Sequence, residues 1–411
     1  MAERRGTALL RTRATSGRAT FLELFFDLVF VFALTRVSQR LFTDLPARGW
    51  TLAAGVGRTL LLFLVLWLVW TITVWVTSRY EPERTIIQAV VVGTMFASLV
   101  MGVTLPRALE ERALPFALAY LAVMLGRPLV IAAALRGHPR RLVPLRLATW
   151  AAATAPLWLA GALGPNDLRL PFWALALTVD YVGLFTGWPL PRLGSSPTAS
   201  WRIAGEHLAE RYQQIFLIAL GESILVIGVT YSGKSFSGDA VGPFVAAFVT
   251  TALLWRLYFH RAGHLLVEAL RLARVPARLG TSATITHLVM VLGVLAAAVG
   301  YEVAIAEPFH RSDAGLLLFV VGGPLLFLVA RARFEYEIFG RVSLSRSLGA
   351  VALVLLVPLL ARGPATLALS LVAAVLAAVA VLDALRGRGR PPEMSASPIG
   401  RHGPEGSGPE A

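Results

Sequence analysis

A set of ionisable side chains lies well inside long apolar stretches of this sequence. Its members are Asp27, Arg36, Arg127, Asp180, Arg211, Glu222 and His287. Placing one such group in hydrocarbon costs at least about 2.5–3.5 kcal/mol on insertion scales, so these groups indicate either function or structural pairing. Carboxylates and an imidazole at graded depths can pass protons or coordinate a cation, and arginines can balance their charge or bind an anionic solute. Ion pairs that only hold helices together are the alternative interpretation.

The depths of these groups predict ion pairs between different helices. At a rise of 1.5 Å per residue, Asp27 and Arg127 lie at similar depths near one membrane face, and Arg36 and Glu222 both lie in the opposite half. Asp27 and Arg36 point in nearly opposite directions on one helix, so each needs a partner elsewhere. We therefore expect two layers of ion pairs, Asp27 with Arg127 and Arg36 with Glu222.

Two helix starts carry further groups of this kind. Thr20 and Glu23 fit a capping box, which makes Glu23 either a cap or a member of the polar set. The start of the seventh apolar stretch carries Glu206, His207, Glu210 and Arg211. A solvated helix start is the alternative interpretation of Glu206 and His207. The predicted proton, cation or solute pathway therefore also includes Glu23, Glu206, His207 and Glu210.

A metal site has little support in the sequence. His260, His264 and Glu268 follow the i, i+4, i+8 spacing that could hold a metal on one helix face. A solvated helix surface explains the same pattern. There is no cysteine, which excludes disulfides, thiol nucleophiles and iron–sulfur clusters. Phosphate-binding loops, nucleophile elbows and metalloprotease motifs are also missing from the sequence, so we predict neither a cofactor nor an enzyme.

The stretches that must position these groups are long and apolar. Of 411 residues, 56% are hydrophobic and 15% charged, with a mean hydropathy of +0.68. A soluble domain has about a quarter charged residues, so most of this chain is expected in lipid. Because a membrane-crossing helix needs about 20 apolar residues, we predict an all-α, polytopic transmembrane helix bundle of about twelve spans. The predicted spans are 21–43, 58–77, 85–106, 113–136, 143–163, 170–190, 209–231, 240–259, 281–302, 314–331, 346–361 and 365–386.

The basic residues predict the orientation of the chain. The net charge is +14, and arginines are concentrated in every second predicted loop, as in 136–146 and 256–278. The loop 232–239 contains only Lys234 as a basic residue. The positive-inside rule therefore predicts a bacterial inner-membrane protein with both termini in the cytoplasm. This distribution favours the lipid bilayer as a partner and argues against nucleic acid.

Both predicted halves contain six spans in the same orientation. Each half opens with acids four residues apart, Glu23 and Asp27 in the first and Glu206 and Glu210 in the second. This pattern is compatible with a 6 + 6 parallel repeat, as found in several transporters. The predicted organisation is a basic cytoplasmic segment (1–20), a first half (21–190), a cytoplasmic linker (191–205), a second half (206–386) and a disordered cytoplasmic tail (387–411).

Two stretches resemble the signatures of one bacterial family. Residues 21–35 (FLELFFDLVFVFALT), followed by 206–211 (EHLAER) and 220–223 (LGES), are similar to the signatures of the low temperature requirement protein A (LtrA) family. His287 and the run 255–259 (WRLYF) also fit, whereas the family would have an acid at His260. The resemblance implies a multi-pass bacterial membrane protein with a link to growth in the cold.

These observations predict a proton- or cation-coupled secondary transporter. Asp27, Asp180, Glu222 and His287 would carry protons or coordinate a monovalent cation, and Arg36 and Arg127 would balance charge or bind a small anionic solute. An ion channel is the first alternative, and it would need a continuous pore lined by the first span of each half. The Phe-Phe-Asp27 run also distantly resembles the Phe-Ser-Asp start of a two-times-six-helix potassium channel family. A membrane scaffold or stress-adaptation protein without transport activity is the second.

Overall fold

The described part of the chain is helical. The computed structural model describes residues 9–11, 18–45, 47–196, 205–234, 238–260, 264–272, 276–387 and 397–399, and this part contains isolated β-bridges but no β-strand. The predicted segment 1–20, linker 191–205 and tail 387–411 lie largely outside the described residues. The all-α prediction is confirmed.

Thirteen helices are named here in chain order. They are α1 (Phe21–Asp44), α2 (Trp50–Arg79), α3 (Thr85–Thr104), α4 (Ala113–Ala134), α5 (Leu142–Leu163), α6 (Asn166–Thr186), α7 (Gly205–Ser232), α8 (Gly238–Tyr258), α9 (His264–Leu272), α10 (Pro276–Ala306), α11 (Ala314–Phe339), α12 (Leu344–Leu360) and α13 (Ala365–Gly387). A π turn at Ala122–Gly126 lies within α4, and α11 is interrupted at Val321.

Nine helices within the described ranges are long and apolar enough to cross a membrane. They are α2, α3, α4, α6, α7, α8, α10, α11 and α13, and α12 is a shorter apolar helix. A multi-pass membrane protein is therefore confirmed, and the count of twelve spans stays a prediction. Helix α1 falls outside the nine because charged side chains interrupt its apolar sequence, among them Glu23, Asp27 and Arg36.

Local sequence signals define several helix ends. The predicted capping box at the start of α1 is present: Thr20 Oγ1 accepts a hydrogen bond from the Glu23 amide, and Glu23 Oε2 accepts one from the Thr20 amide at 2.9 Å. Helices α6 and α11 are followed by the cap residues Gly187 and Gly340, whose positive φ angles of 77° and 69° suit glycine. Both helices therefore terminate where the sequence supplies glycine.

Helices α1, α2, α7 and α10 pack together and carry many of the buried polar groups. Helix α1 contacts α2, α7 and α10, and α7 also packs along α10. Helices α10 and α11 approach closely at Gly293, Gly300 and Gly323, where an added Cβ would lie within 2.8 Å of backbone atoms on the facing helix. The contacts among α1, α2, α7 and α10 position the polar side chains of α1 and α7.

Candidate functional site

The facing sides of α1 and α7 form a polar interface. We define the α1–α7 polar interface as three side chains of each helix: Glu23, Asp27 and Thr35 of α1, with His207, Arg211 and Glu222 of α7. Partners are separated by nearly the same number of residues, 184 for Asp27–Arg211 and 187 for Thr35–Glu222. Because this offset changes little along the contact, the two helices run parallel.

A two-point ion pair lies within this interface. Arg211 Nη1 donates to Asp27 Oδ2 and Arg211 Nη2 donates to Asp27 Oδ1, both at 2.7 Å. Trp70 Nε1 of α2 donates to Asp27 Oδ1 at 3.2 Å, and Arg211 Nη1 also donates to Gln214 at 3.0 Å. Asp27 and Arg211 are each only 1% exposed. Bidentate charge-assisted pairs of this kind are the strong class of hydrogen bonds in proteins.

The predicted pairing of Asp27 with Arg127 is wrong. Arg127 Nη1 instead donates to Thr73 Oγ1 of α2 at 2.8 Å, and Nη2 lies 3.8 Å from the Met124 sulfur. The position of a residue along its helix predicts how deep its charge lies in the membrane, but not which neighbouring helix the side chain faces. The packing of α7 against α1 brings Arg211, and not Arg127, to Asp27.

Glu23 and His207 form the next contact of the interface. His207 Nε2 lies 2.7 Å from Glu23 Oε1, and both residues are buried. This approach is close in distance but poorly aligned for a hydrogen bond. On the other side of the ring, Ser78 Oγ of α2 lies 2.9 Å from His207 Nδ1. Glu23 is thus both the cap of α1 and a partner of a buried histidine in the α1–α7 polar interface.

The third contact joins Thr35 and Glu222. The Thr35 hydroxyl donates to Glu222 Oε2, and Glu222 is completely buried. The predicted pairing of Arg36 with Glu222 is wrong, because Arg36 Nη1 donates to Gln39 Oε1 at 2.7 Å and the guanidinium lies 4.8 Å from the Phe32 ring centre. Arg36 is on the opposite side of α1, as its helical phase relative to Asp27 requires.

Asp180 lies in a separate cluster within α4, α5 and α6. Its carboxylate accepts hydrogen bonds from the Tyr120 hydroxyl at 2.7 Å, the Thr154 hydroxyl at 2.9 Å and Trp158 Nε1 at 3.2 Å. Asp180 is 5% exposed. Within the described residues the carboxylate forms no ion pair, and its negative charge is supported by three neutral donors.

His287 is also placed apart from the α1–α7 polar interface. Its Nδ1 lies 2.7 Å from the Ala283 carbonyl oxygen and its Nε2 lies 2.8 Å from the Tyr258 hydroxyl. The ring stacks on Tyr212 with centroids 4.8 Å apart. With Nδ1–H donating to a carbonyl, Nε2 can accept from the tyrosine, so every polar atom of a neutral imidazole is satisfied.

The remaining predicted residues of α7 lie at its first turns. Glu210 Oε2 accepts a hydrogen bond from the Ala19 amide at 2.6 Å, which ties the start of α7 to the chain entering α1. Glu206 is exposed, as expected for a solvated helix start. The structure therefore brings together Glu23, Asp27, His207, Arg211 and Glu222, with Glu210 beside them. It places Arg36, Arg127, Asp180, Glu206 and His287 elsewhere.

The sequence resemblance is borne out by comparison with known proteins. The family model for the bacterial low temperature requirement A protein (LtrA) matches residues 18–381. The chain belongs to the LtrA family. An uncharacterised protein of Rhizobium meliloti is 35% identical over 338 residues, which cover 80% of this chain and 80% of that relative. No solved structure matches the chain. The matched range of the LtrA model contains the whole α1–α7 polar interface.

The candidate metal ligands of this LtrA-family chain, His260, His264 and Glu268, lie only partly within the described residues. Across the described ranges, no group of three His, Cys, Asp or Glu residues could hold a metal ion. His260 lies at the end of α8 and Glu268 in α9, whereas the side chain of His264 is outside the described part.

Several polar residues of the site were missed from the sequence. Trp70 and Ser78 of α2 complete the contacts of Asp27 and His207. Glu302 of α10 lines a cavity with Glu222. Another cluster joins Arg346 to Glu335 at 2.7 Å and to Asp383 at 2.8 Å. Trp70 and Ser78 carry no charge that would distinguish them in an apolar stretch. Glu302 is the last residue of the predicted span 281–302, where an acid is expected at the membrane boundary.

Proposed function

We propose that this LtrA-family protein is a proton- or cation-coupled secondary transporter. The observation that carries the proposal is the fully buried Asp27–Arg211 pair at the contact of two parallel helices. Ionisable residues inside membrane bundles mark ion and proton pathways, and this pair has further titratable groups directly beside it along the same helix contact.

The chemistry of the pair provides a coupling step. Removing one partner of a buried ion pair leaves an uncompensated charge, which typically costs about 3–5 kcal/mol. A proton bound by Asp27, or a cation that replaces Arg211 beside it, would end the pairing and free the guanidinium. Arg211 would then seek water or another acceptor, and α1 and α7 would separate. Coupling arises because the same event changes both the charge of the site and the preferred arrangement of two helices.

The proposed architecture has twelve crossings with both termini in the cytoplasm of the inner membrane. Helices α1 and α7 would be the first helices of two six-helix halves that form a parallel repeat. Their parallel contact supports this arrangement, because first helices related by an axis along the membrane normal run in the same direction. The arginine-rich loops support the orientation.

Uptake into proteoliposomes tests this function. The full chain is reconstituted, an inward proton gradient or an inward Na⁺ gradient is imposed, and the bath contains the small-molecule fraction of a bacterial extract. Accumulated solutes are measured by mass spectrometry, and ²²Na⁺ and ⁸⁶Rb⁺ uptake is followed in parallel. We expect accumulation of at least one solute or cation that depends on a gradient and is lost in Asp27→Asn.

Asp383→Asn is a matched control, since it removes one partner of another buried ion pair that lies outside the α1–α7 polar interface. It should retain uptake. Absence of gradient-dependent accumulation by folded protein would contradict the proposal, as would equal accumulation by Asp27→Asn. Ion currents that persist without any coupled solute would instead indicate a channel.

A further inference from the structure

We propose that Glu222 and Glu302 form a binding site for one monovalent metal cation of the Na⁺ type. Both carboxylates line a cavity of about 90 Å³ between the C-terminal parts of α1, α7 and α10. They are close enough for their charges to act on each other. The role of this site in coupling rests on the proposed function, whereas cation binding itself does not require transport.

Unused polar atoms face this cavity. Across the described residues, neither Glu222 Oε1 nor Ser38 Oγ has a hydrogen-bond partner, although Glu222 is fully buried and Ser38 is 1% exposed. Ser38 faces the Glu222 carboxylate but lies outside normal hydrogen-bond geometry. A buried polar atom without a partner costs about 1–3 kcal/mol. A bound cation would supply the missing partner for both oxygens.

The ligand chemistry of the cavity suits a hard cation. Thr35, Thr230 and Gln39 also line the cavity, so its polar lining consists of carboxylate, hydroxyl and amide groups. Such oxygens are the ligands of alkali and alkaline-earth cations, whereas nitrogen and sulfur ligands would favour transition metals. A volume of about 90 Å³ accommodates a small ion with one or two waters, since each water occupies about 30 Å³ in the liquid.

The charge around the cavity favours a single positive charge. Glu222 and Glu302 contribute two negative charges when ionised. Among the described residues, no basic side chain lines the cavity. One monovalent cation would therefore offset one of the two negative charges, and a proton on the other carboxylate would offset the second. Without the cation, two carboxylates in a low-dielectric cavity repel each other and cannot both stay ionised cheaply.

The position of the cavity gives the cation a route to water. Thr230 is two residues from the end of α7 and Glu302 is four residues from the end of α10. At 1.5 Å per residue, both lie within about 6 Å of their helix ends. Gln39 is exposed on the adjoining part of α1. The ion could thus enter from the membrane face at these helix ends, which the proposed orientation makes the outer one.

Equilibrium binding of ²²Na⁺ tests the site without any gradient. The purified full chain in detergent is titrated with ²²Na⁺, with choline chloride holding the ionic strength constant, and unlabelled Na⁺, Li⁺ and K⁺ compete for the site. We expect saturable binding, a loss of affinity of at least about ten-fold in Glu302→Gln and a smaller loss in Ser38→Ala. Bound Na⁺ should also raise the unfolding temperature of wild type, because it binds only the folded state.

Glu307→Gln is the matched control, since Glu307 follows α10 closely but its side chain is 69% exposed and outside the cavity. It should bind as wild type does. If Glu302→Gln fails to fold, Glu302→Asp keeps the charge but withdraws the carboxylate and should still weaken binding. Absence of saturable binding in wild type would overturn the inference, as would unchanged binding in the folded Glu302 and Ser38 variants.

The two proposals fail in different ways. Saturable, Glu302-dependent Na⁺ binding by a protein that shows no gradient-driven uptake would contradict the transport proposal alone. Asp27-dependent uptake by a protein that binds no Na⁺ would overturn the cation site alone.

Discussion

Arg211 of α7 holds both carboxylate oxygens of Asp27 of α1 at 2.7 Å, and neither residue is more than 1% exposed. The two residues are separated by 184 positions in the chain, so the pair links helices that begin different predicted halves. In the proposed mechanism, the relative position of α1 and α7 depends on the charge of this one carboxylate.

The Asp27–Arg211 pair is expected to dominate the stability of the α1–α7 contact. Asp27→Asn and Arg211→Gln should each lower the free energy of unfolding by about 3–5 kcal/mol, because each leaves a buried charge unpaired. The double variant should be less destabilised than the sum of the two, which a double-mutant cycle of unfolding in detergent measures. Asp383→Asn should cost less, since Arg346 keeps Glu335. Strictly additive effects at Asp27 and Arg211 would contradict the pairing.

Ser78 is expected to stabilise the buried His207. Ser78→Ala removes the hydroxyl 2.9 Å from His207 Nδ1 and leaves that nitrogen without its partner, which should cost about 1–3 kcal/mol of unfolding free energy. Ser370→Ala is the control, because the Ser370 hydroxyl is exposed and bonds only within its own helix. A Ser78 variant as stable as the Ser370 variant would show that His207 does not depend on this contact.

The carboxylate of Asp180 is expected to be required for the three hydrogen bonds that it accepts. Asp180→Asn replaces one acceptor oxygen by an NH₂ group, which would face donors from Tyr120, Thr154 or Trp158. We expect a loss of about 1–3 kcal/mol in unfolding free energy. Thermal unfolding in detergent measures the loss. An equally stable Asn variant would mean that the cluster is supported by packing rather than by the carboxylate.

Helices α10 and α11 are expected to tolerate no side chain at Gly323. A Cβ there would lie 2.5 Å from the Ala297 backbone nitrogen, so Gly323→Ala must push the helices apart and should cost about 1–3 kcal/mol. The neighbouring Gly322→Ala is the control, since its Cβ would meet nothing closer than 3.7 Å. Equal unfolding temperatures of these two variants would contradict the close approach.

The proposed orientation can be tested with single cysteines, because the chain has none of its own. Glu111→Cys lies between α3 and α4, and Arg136→Cys lies between α4 and α5; both positions are exposed. A membrane-impermeant maleimide applied to intact spheroplasts should label the Glu111 variant, and the Arg136 variant only after permeabilisation. The reverse pattern would invert the orientation, and equal labelling would mean that α4 does not cross the membrane.

The sequence predicted the elements of the fold far better than the contacts between them. Each predicted span contains a helix, and the capping box of Thr20 and Glu23 is present, because length, hydropathy and caps are local properties. The partner of Asp27 was predicted incorrectly, since helical periodicity fixes the direction of a side chain on its own helix but not which helix packs there. His287 illustrates the same limit, because its aromatic and hydroxyl neighbours come from other helices and carry no charge signal.

Gradient-driven uptake by wild type, Asp27→Asn and Asp383→Asn, compared at equal amounts of folded protein, tests the central claim most directly. The coupling role of the Asp27–Arg211 pair predicts that Asp27→Asn loses the gradient-dependent part of uptake while Asp383→Asn keeps it. Uptake that depends on the gradient equally in all three proteins would contradict that role.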